Sequence, residues 1–444
     1  MISTIINNAT IVDGTGRPAF STDVALASDR IARIGSCAEI ACRSQIDGRG
    51  SILTAGFIDA CSHTNDSWLS LPSWTSSLAQ GITSEITGTC GRGGFDPELR
   101  EREPAVTRRS FASPPQPIRE ACEAGAAGVS LDLSRTTPPE ALVFARAARE
   151  GGAPLVAAHL RDYGHDFHDA LEEALALAAA ADVRLHLSHL QARRGAPPGA
   201  MEHALERIDR ARAGGLDVSC DVFPYVAVWI ELASLLPASV KRQALGDETL
   251  AAAVALEMQA RLGDIWHDVM LAEVSGEERL PWCGMRFDEI GRQMRLRPAR
   301  AAIEFIRHDG ERARAFYFAL RESDVATALS AGFCAIGTSA AACSFHAQPF
   351  GLVHPRSFGT TARVIGRFVR QRRTLTLEEA VRRMTSLPAR LFGLDGYGEL
   401  TEGARADLVL FDERGFIDTA TYERPISAPA GLKHVWVAGR LKGT

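Results

Sequence analysis

Residues 154–190 read PLVAAHLRDYGHDFHDALEEALALAAAADVRLHLSHL. Two short apolar runs, PLVAAHL (154–160) and VRLHLSHL (183–190), flank an alanine-rich stretch, ALEEALALAAAA (170–181). Read by length and composition, this is strand, helix, strand. The pattern continues through ERIDRARA (206–213), a helix, into LDVSCDVFPY (216–225), another strand. Between Ala55 and Gly393 short apolar runs keep alternating with long helical stretches, as in βα units on a parallel sheet. The expected class is α/β, a (β/α)8 TIM-like barrel. Polar groups, His or Cys stand where the apolar runs end: Asp59 to Asp66, Cys90, His159, His189, Asp221 and Ser339. In such a barrel these strand ends form the active-site face.

The two ends of the chain read differently. Thr4–Val12, Thr22–Ile34 and Gln45–Leu53 are expected strands, punctuated by Asp13-Gly14, Gly35 and Asp47-Gly48. ADLVLFDE (406–413) and KHVWVAGRLKG (433–443) return to that style. Residues 1–53 and 395–444 are therefore expected to build one small β-domain, and 54–394 the barrel. No internal repeat interrupts either part.

With 46% hydrophobic and 23% charged residues in 444, the chain has ample material for a large core. Net charge is -5 and no block of Lys and Arg could track phosphates, so nucleic acid is excluded as the expected partner. The most basic run, Arg367–Arg373 (RFVRQRR), is expected to be the exposed end of a helix. MISTIINNATIVDG at the start lacks a basic n-region and an apolar h-region. No run approaches the roughly 18 apolar residues of a membrane helix. The expectation is a cytoplasmic protein with a small-molecule partner; a homo-oligomer is compatible with the sequence, which carries no direct mark of one. Nine cysteines at irregular spacings argue for free thiols, one or two of them metal-bound.

Four stretches carry candidate chemistry. In GFIDACSHTND (56–66), Cys61 and His63 alternate and so face the same side of a strand, where two donors could chelate a metal. Taken alone, that spacing is more often structural or the product of chance than a metal site. SEITGTCGRGG (84–94) sets Cys90 among glycines, and an isolated cysteine there reads as readily as a buried, inert side chain as it does as a functional one. VAAHLRDYG (156–164) and LHLSHLQ (185–191) end in His159 and His189, and a single strand-end histidine is more often a hydrogen-bonded core residue than a ligand. Together, in barrel order, the four supply the thiolate and imidazole donors that zinc prefers.

These motifs, with the later HPR (354–356), SFGT (357–360) and the helix TLEEAVRRMTSLPARLFGL (376–394), resemble the N-acyl-D-amino-acid deacylases of the amidohydrolase superfamily over nearly the whole chain. The resemblance implies a (β/α)8 barrel with a β-domain made from both termini. It further implies a tightly held zinc on Cys90, His159 and His189, with the fourth position open for water or substrate. Arg356 would clamp a substrate carboxylate.

The departures are informative. The resemblance implies a His-x-His at the first strand, where this chain has Cys61 and His63, so the weaker second metal site loses its first histidine. At the last strand end the family's aspartate, a metal ligand and general base, is replaced by Ser339 in Gly337-Thr338-Ser339-Ala340. Serine has no base strength near neutral pH. In the substrate pocket a lysine becomes Gln191, a tyrosine Phe223 and a serine Trp229. A long stretch that the family carries after TGxCG is missing, which leaves 94–119 without an assigned element.

The sequence thus implies an amide C–N hydrolase acting on a carboxylate-bearing, N-acyl amino acid-like substrate with one zinc and the second site lost. His63, Asp66 or His346 are the candidate replacement bases. A second reading keeps zinc but drops hydrolysis for condensation, cyclisation, elimination or isomerisation in specialised metabolite biosynthesis. A third, an inactive binding homologue, sits poorly with three intact ligands.

Overall fold

A computed structural model describes residues 1–64, 75–91, 94–96, 106–345 and 350–443. The N-terminal segment forms β1 (Ile2–Ile11), β2 (Phe20–Ala27), β3 (Arg30–Ile34), β4 (Cys42–Asp47) and β5 (Ser51–Ala55). The run expected as one strand over 22–34 is a β2–β3 hairpin, because Ser28 takes a left-handed turn with φ 52°. β5 is buried along its whole length and leads, across Gly56, into the central layer.

That layer is a barrel of parallel strands. β6 (Phe57–Asp59), β7 (Ile82–Thr87) and β8 (Thr107–Ser110) pair in sequence. β9 (Val129–Asp132), β10 (Leu155–His159), β11 (Arg184–Leu187) and β12 (Val218–Val222) form a second parallel run. After an insertion carrying β13 (Val228–Glu231), β14 (Val269–Glu273) and β15 (Arg314–Tyr317), β16 (Cys334–Ile336) pairs with β12. Parallel bridges Ala112↔Val129 and Ser62↔Ala340 join the two runs, so eight strands close on themselves. At the second seam the Cys61 carbonyl accepts the Ser339 N–H at 2.7 Å. Asp59 accepts the Thr338 N–H at 2.8 Å and its hydroxyl at 2.6 Å.

The helices follow their sequence signals. Pro138–Glu150 starts on a Thr137/Glu140 capping box with proline in its first turn. Phe167–Ala181 buries Leu171, Ala174 and Ala178 against the barrel and stops at Asp182, which is left-handed. The basic run belongs to a π-helix, Val364–Gln371, continuing Arg356–Arg363; Arg372 and Arg373 beyond its end are exposed, while Arg367 pairs with Glu322 at 2.9 Å.

β17 (Leu408–Asp412), β18 (Leu432–Val437) and β19 (Arg440–Gly443) return to the first sheet, which has eight strands with β17 beside β5. Its core includes Ile6, Ile11, Leu53, Leu408 and Trp436. The fold is the expected α/β barrel with an additional sheet from both termini. One element departs from the expected alternation: β13–β15–β14 is an antiparallel sheet, packed with helices Glu248–Leu262, Phe287–Met294 and Pro298–Asp309 around its own core of Leu232, Trp266, Phe287 and Ile303. No helix among the described residues is long and apolar enough to cross a membrane.

Candidate metal centre

The strand ends bring the cysteines and histidines together. Cys90 follows β7, His159 ends β10 and His189 follows β11. Cys90 Sγ lies 3.2 Å from His189 Nε2, whose ring nitrogen is 3.1 Å from His159 Nδ1. The donor atoms of all three fall within 4.8 Å of one another, as do those of Cys61, His63 and Cys90. His63 Nε2 stands 3.4 Å from Cys90 Sγ. A thiolate and two imidazoles at this spacing fit the donor set and reach of zinc.

The backbone is bent to make this possible. Cys90 (φ 60°), His189 (φ 39°) and Ser339 (φ 48°) all adopt the left-handed region, which is costly for residues with a Cβ and clusters at functional sites. Asp221 at the end of β12 helps hold the second of these: its carboxylate accepts the His189 N–H at 3.1 Å, and its other oxygen lies 2.9 Å from His186 Nε2. Tyr163 braces the same corner. Its hydroxyl donates to the Ser188 carbonyl at 3.0 Å and accepts the Leu160 N–H at 3.1 Å, and its ring meets His159 edge-on at 5.0 Å. Neither role is carried by a motif; Asp221 is visible in sequence only as another polar strand end.

Electrostatics favour a thiolate at Cys90. The bond from Cys61, with His189 and His63 close by, holds its thiol well below the usual range against the effect of burial. That same bond, and burial, push the Cys61 thiol well up. Burial lowers His189, which keeps its imidazole neutral and able to ligate.

The remaining expected residues divide. Arg356, buried at the start of its helix, lies 4.6 Å over the Phe223 ring, and its Nε has no hydrogen-bond partner among the described residues. Burial pushes its guanidinium down to about 10. Gln191 spends its amide N–H on the Phe223 carbonyl at 2.9 Å, tying two strand ends together. Trp229 lies on β13 with the Arg314 guanidinium 5.0 Å over it, so its contacts belong to the insertion. Ser339 is buried at the seam beside Cys61. Asp66 and His346 lie outside the described residues.

Residues 45–441 match the amidohydrolase family. The chain belongs to that family. It is 29% identical to an N-acyl-D-glutamate deacylase of Alcaligenes xylosoxydans xylosoxydans over 98% of this chain and 92% of the relative. The crystal structure of N-acyl-D-glutamate deacylase from Bordetella bronchiseptica, complexed with zinc and a phosphonate mimic of the tetrahedral intermediate, superposes with a TM-score of 0.82 at 26% identity, covering 99% of this chain and 96% of that one. A D-aminoacylase structure concerned with one-metal activation and second-metal attenuation at a binuclear centre gives 0.78 at 26% identity, with coverage of 99% and 96%. This amidohydrolase is therefore an enzyme of the class the resemblance implied, hydrolases of amide C–N bonds.

Proposed function

We propose that this amidohydrolase uses one zinc, held by Cys90, His159 and His189, to cleave the amide of a carboxylate-bearing N-acyl amino acid. The observation carrying this reading is the close Cys90, His159, His189 triad with a buried Arg356 near enough to feel the charge of Cys90, its Nε without a hydrogen-bond partner among the described residues. Bound zinc supplies a Lewis acid and lowers the pKa of water from about 15.7 to about 7. Arg356 offers the substrate carboxylate a planar, two-pronged donor, and Phe223 beneath it keeps water away. His63, 3.4 Å from Cys90, is our candidate for the group that takes up and returns the proton. Ser339 cannot do so, and losing a carboxylate base costs on the order of 10² to 10⁴ in rate. Residues 54–394 would then be the catalytic unit, and a cytoplasmic setting suits a free-thiol metal site.

A second reading, a zinc enzyme that joins, cyclises, eliminates or isomerises, is favoured by one observation: the strand end that bears the base in the family holds a hydroxyl here. Intact ligands weigh against a binding-only homologue. Zinc-loaded protein incubated with N-acyl-D- and N-acyl-L-amino acids, with amine release followed, separates the two. Slow release that requires the substrate carboxylate supports hydrolysis; tight binding of the same compounds without release supports the second reading.

A further inference from the structure

We propose that Arg193 is a second anion-recognising residue of this site, so that the substrate carries two carboxylates, one for Arg356 and one for Arg193. The inference deepens the hydrolase reading and rests on its assignment of Arg356 as the first clamp.

Arg193 stands in the loop after β11, the loop that also carries His189. That loop is pinned on two sides. The Arg193 N–H donates to the Tyr163 carbonyl at 2.7 Å, and an antiparallel bridge joins Arg193 to Leu320, where the chain returns from the insertion. The half-buried side chain lays its guanidinium 4.6 Å over the Tyr163 ring, which meets His159 at 5.0 Å and His189 at 5.2 Å. One aromatic ring therefore separates this cation from two of the three proposed zinc ligands.

Nothing neutralises it. The next residue, Arg194, spends its charge on Asp268. Arg193 makes no hydrogen bond or ion pair through its guanidinium among the described residues. Asp162 is a carboxylate within range of its charge, but it accepts the Asp166 N–H at 2.7 Å and forms no ion pair with Arg193. Burial holds the guanidinium below the usual arginine range, with Cys90 among the charges opposing that effect. Arg356 in turn feels Arg193 as a repelling charge. Two such cations, near each other and near the same cysteine, are costly until an anion joins them. A single carboxylate on Arg356 leaves Arg193 uncompensated. A second one supplies its partner, and the ring beneath holds the guanidinium plane for a two-pronged contact. The pinned loop sets this geometry before binding, so the substrate has little left to order. The second carboxylate has two sources, the amino-acid side chain or the acyl group, with the same chemistry.

The test measures binding to zinc-loaded, full-length protein by calorimetry with two charge pairs of matched size, each in both hands. One sets N-acetylglutamate against N-acetylglutamine; the other sets N-succinylalanine against the same compound with its succinyl carboxylate amidated. The wild type should prefer the dianion in at least one pair by about ten- to a hundredfold, the worth of a charge-assisted hydrogen bond. Preference in the glutamate pair assigns the second carboxylate to the side chain, and in the succinyl pair to the acyl group. The preference should vanish in Arg193→Gln, whose folding is checked by thermal unfolding, and survive in part in Arg193→Lys, which keeps the charge without the fork. No preference in either pair, or one that persists in Arg193→Gln, overturns the inference. N-acetylalanine bound as tightly by Arg356→Gln as by the wild type instead overturns the underlying Arg356 assignment.

Discussion

Arg356 shows how far a single residue can be read from sequence. The HPR motif marks it as a carboxylate clamp, but its lack of a protein counter-ion among the described residues, and its place over Phe223, are visible only in three dimensions. Arg356→Lys should lower kcat/KM by roughly 2 to 5 kcal/mol in transition-state stabilisation, since a point charge cannot reproduce the fork. A variant within twofold of wild type removes the clamp. The pH dependence has a defined sign. The guanidinium is charged below its depressed value of about 10, so kcat/KM should fall as pH rises through about 10, while kcat, measured with the carboxylate bound and the charge held, falls later. Ser339 makes the complementary prediction: turnover of N-acetyl-D-amino acids should stay below the typical kcat of about 10 s⁻¹. A faster rate would show that the hydroxyl does not disable standard hydrolysis. Asp221 and Tyr163 illustrate what remained illegible. Each acts on the backbone of a residue from another strand end, and no spacing in the chain encodes such a contact.

At the scale of elements, most barrel strands were legible because they are continuous apolar runs buried on both faces. β8 was not. Thr107–Ser110 reads TRRS, half-buried throughout, with Glu85 pairing Arg108 at 3.1 Å, so no apolar run announces it. The insertion escaped for a related reason: its short antiparallel strands and helices mimic the βα alternation locally, and only pairing direction tells them apart. The seam between β6 and β16 yields a prediction of its own. A Cβ at Gly337 would lie 2.7 Å from the Cys61 Cβ and 2.9 Å from Asp221 Oδ1. Gly337→Ala should therefore destabilise by about 1 to 3 kcal/mol in denaturant unfolding and weaken zinc binding, as overpacking forces the two strand ends apart. Unchanged stability and metal content would mean that the seam yields at no cost.

For the whole molecule, the terminal sheet and the barrel are joined without a break through β5, Gly56 and β6, so metal at the barrel mouth is coupled to the stability of a continuous structure. A zinc ion that binds the folded state alone should add about 2.7 kcal/mol when free metal stands at a hundred times its dissociation constant. The measurement that tests the central claim most directly is elemental analysis of protein purified without added metal, beside Cys90→Ala with His159→Ala prepared identically. The account predicts about one zinc per chain in the wild type, as three protein ligands require, and almost none in the double variant. Equal zinc in both proteins, or none in either with the fold intact, would contradict it.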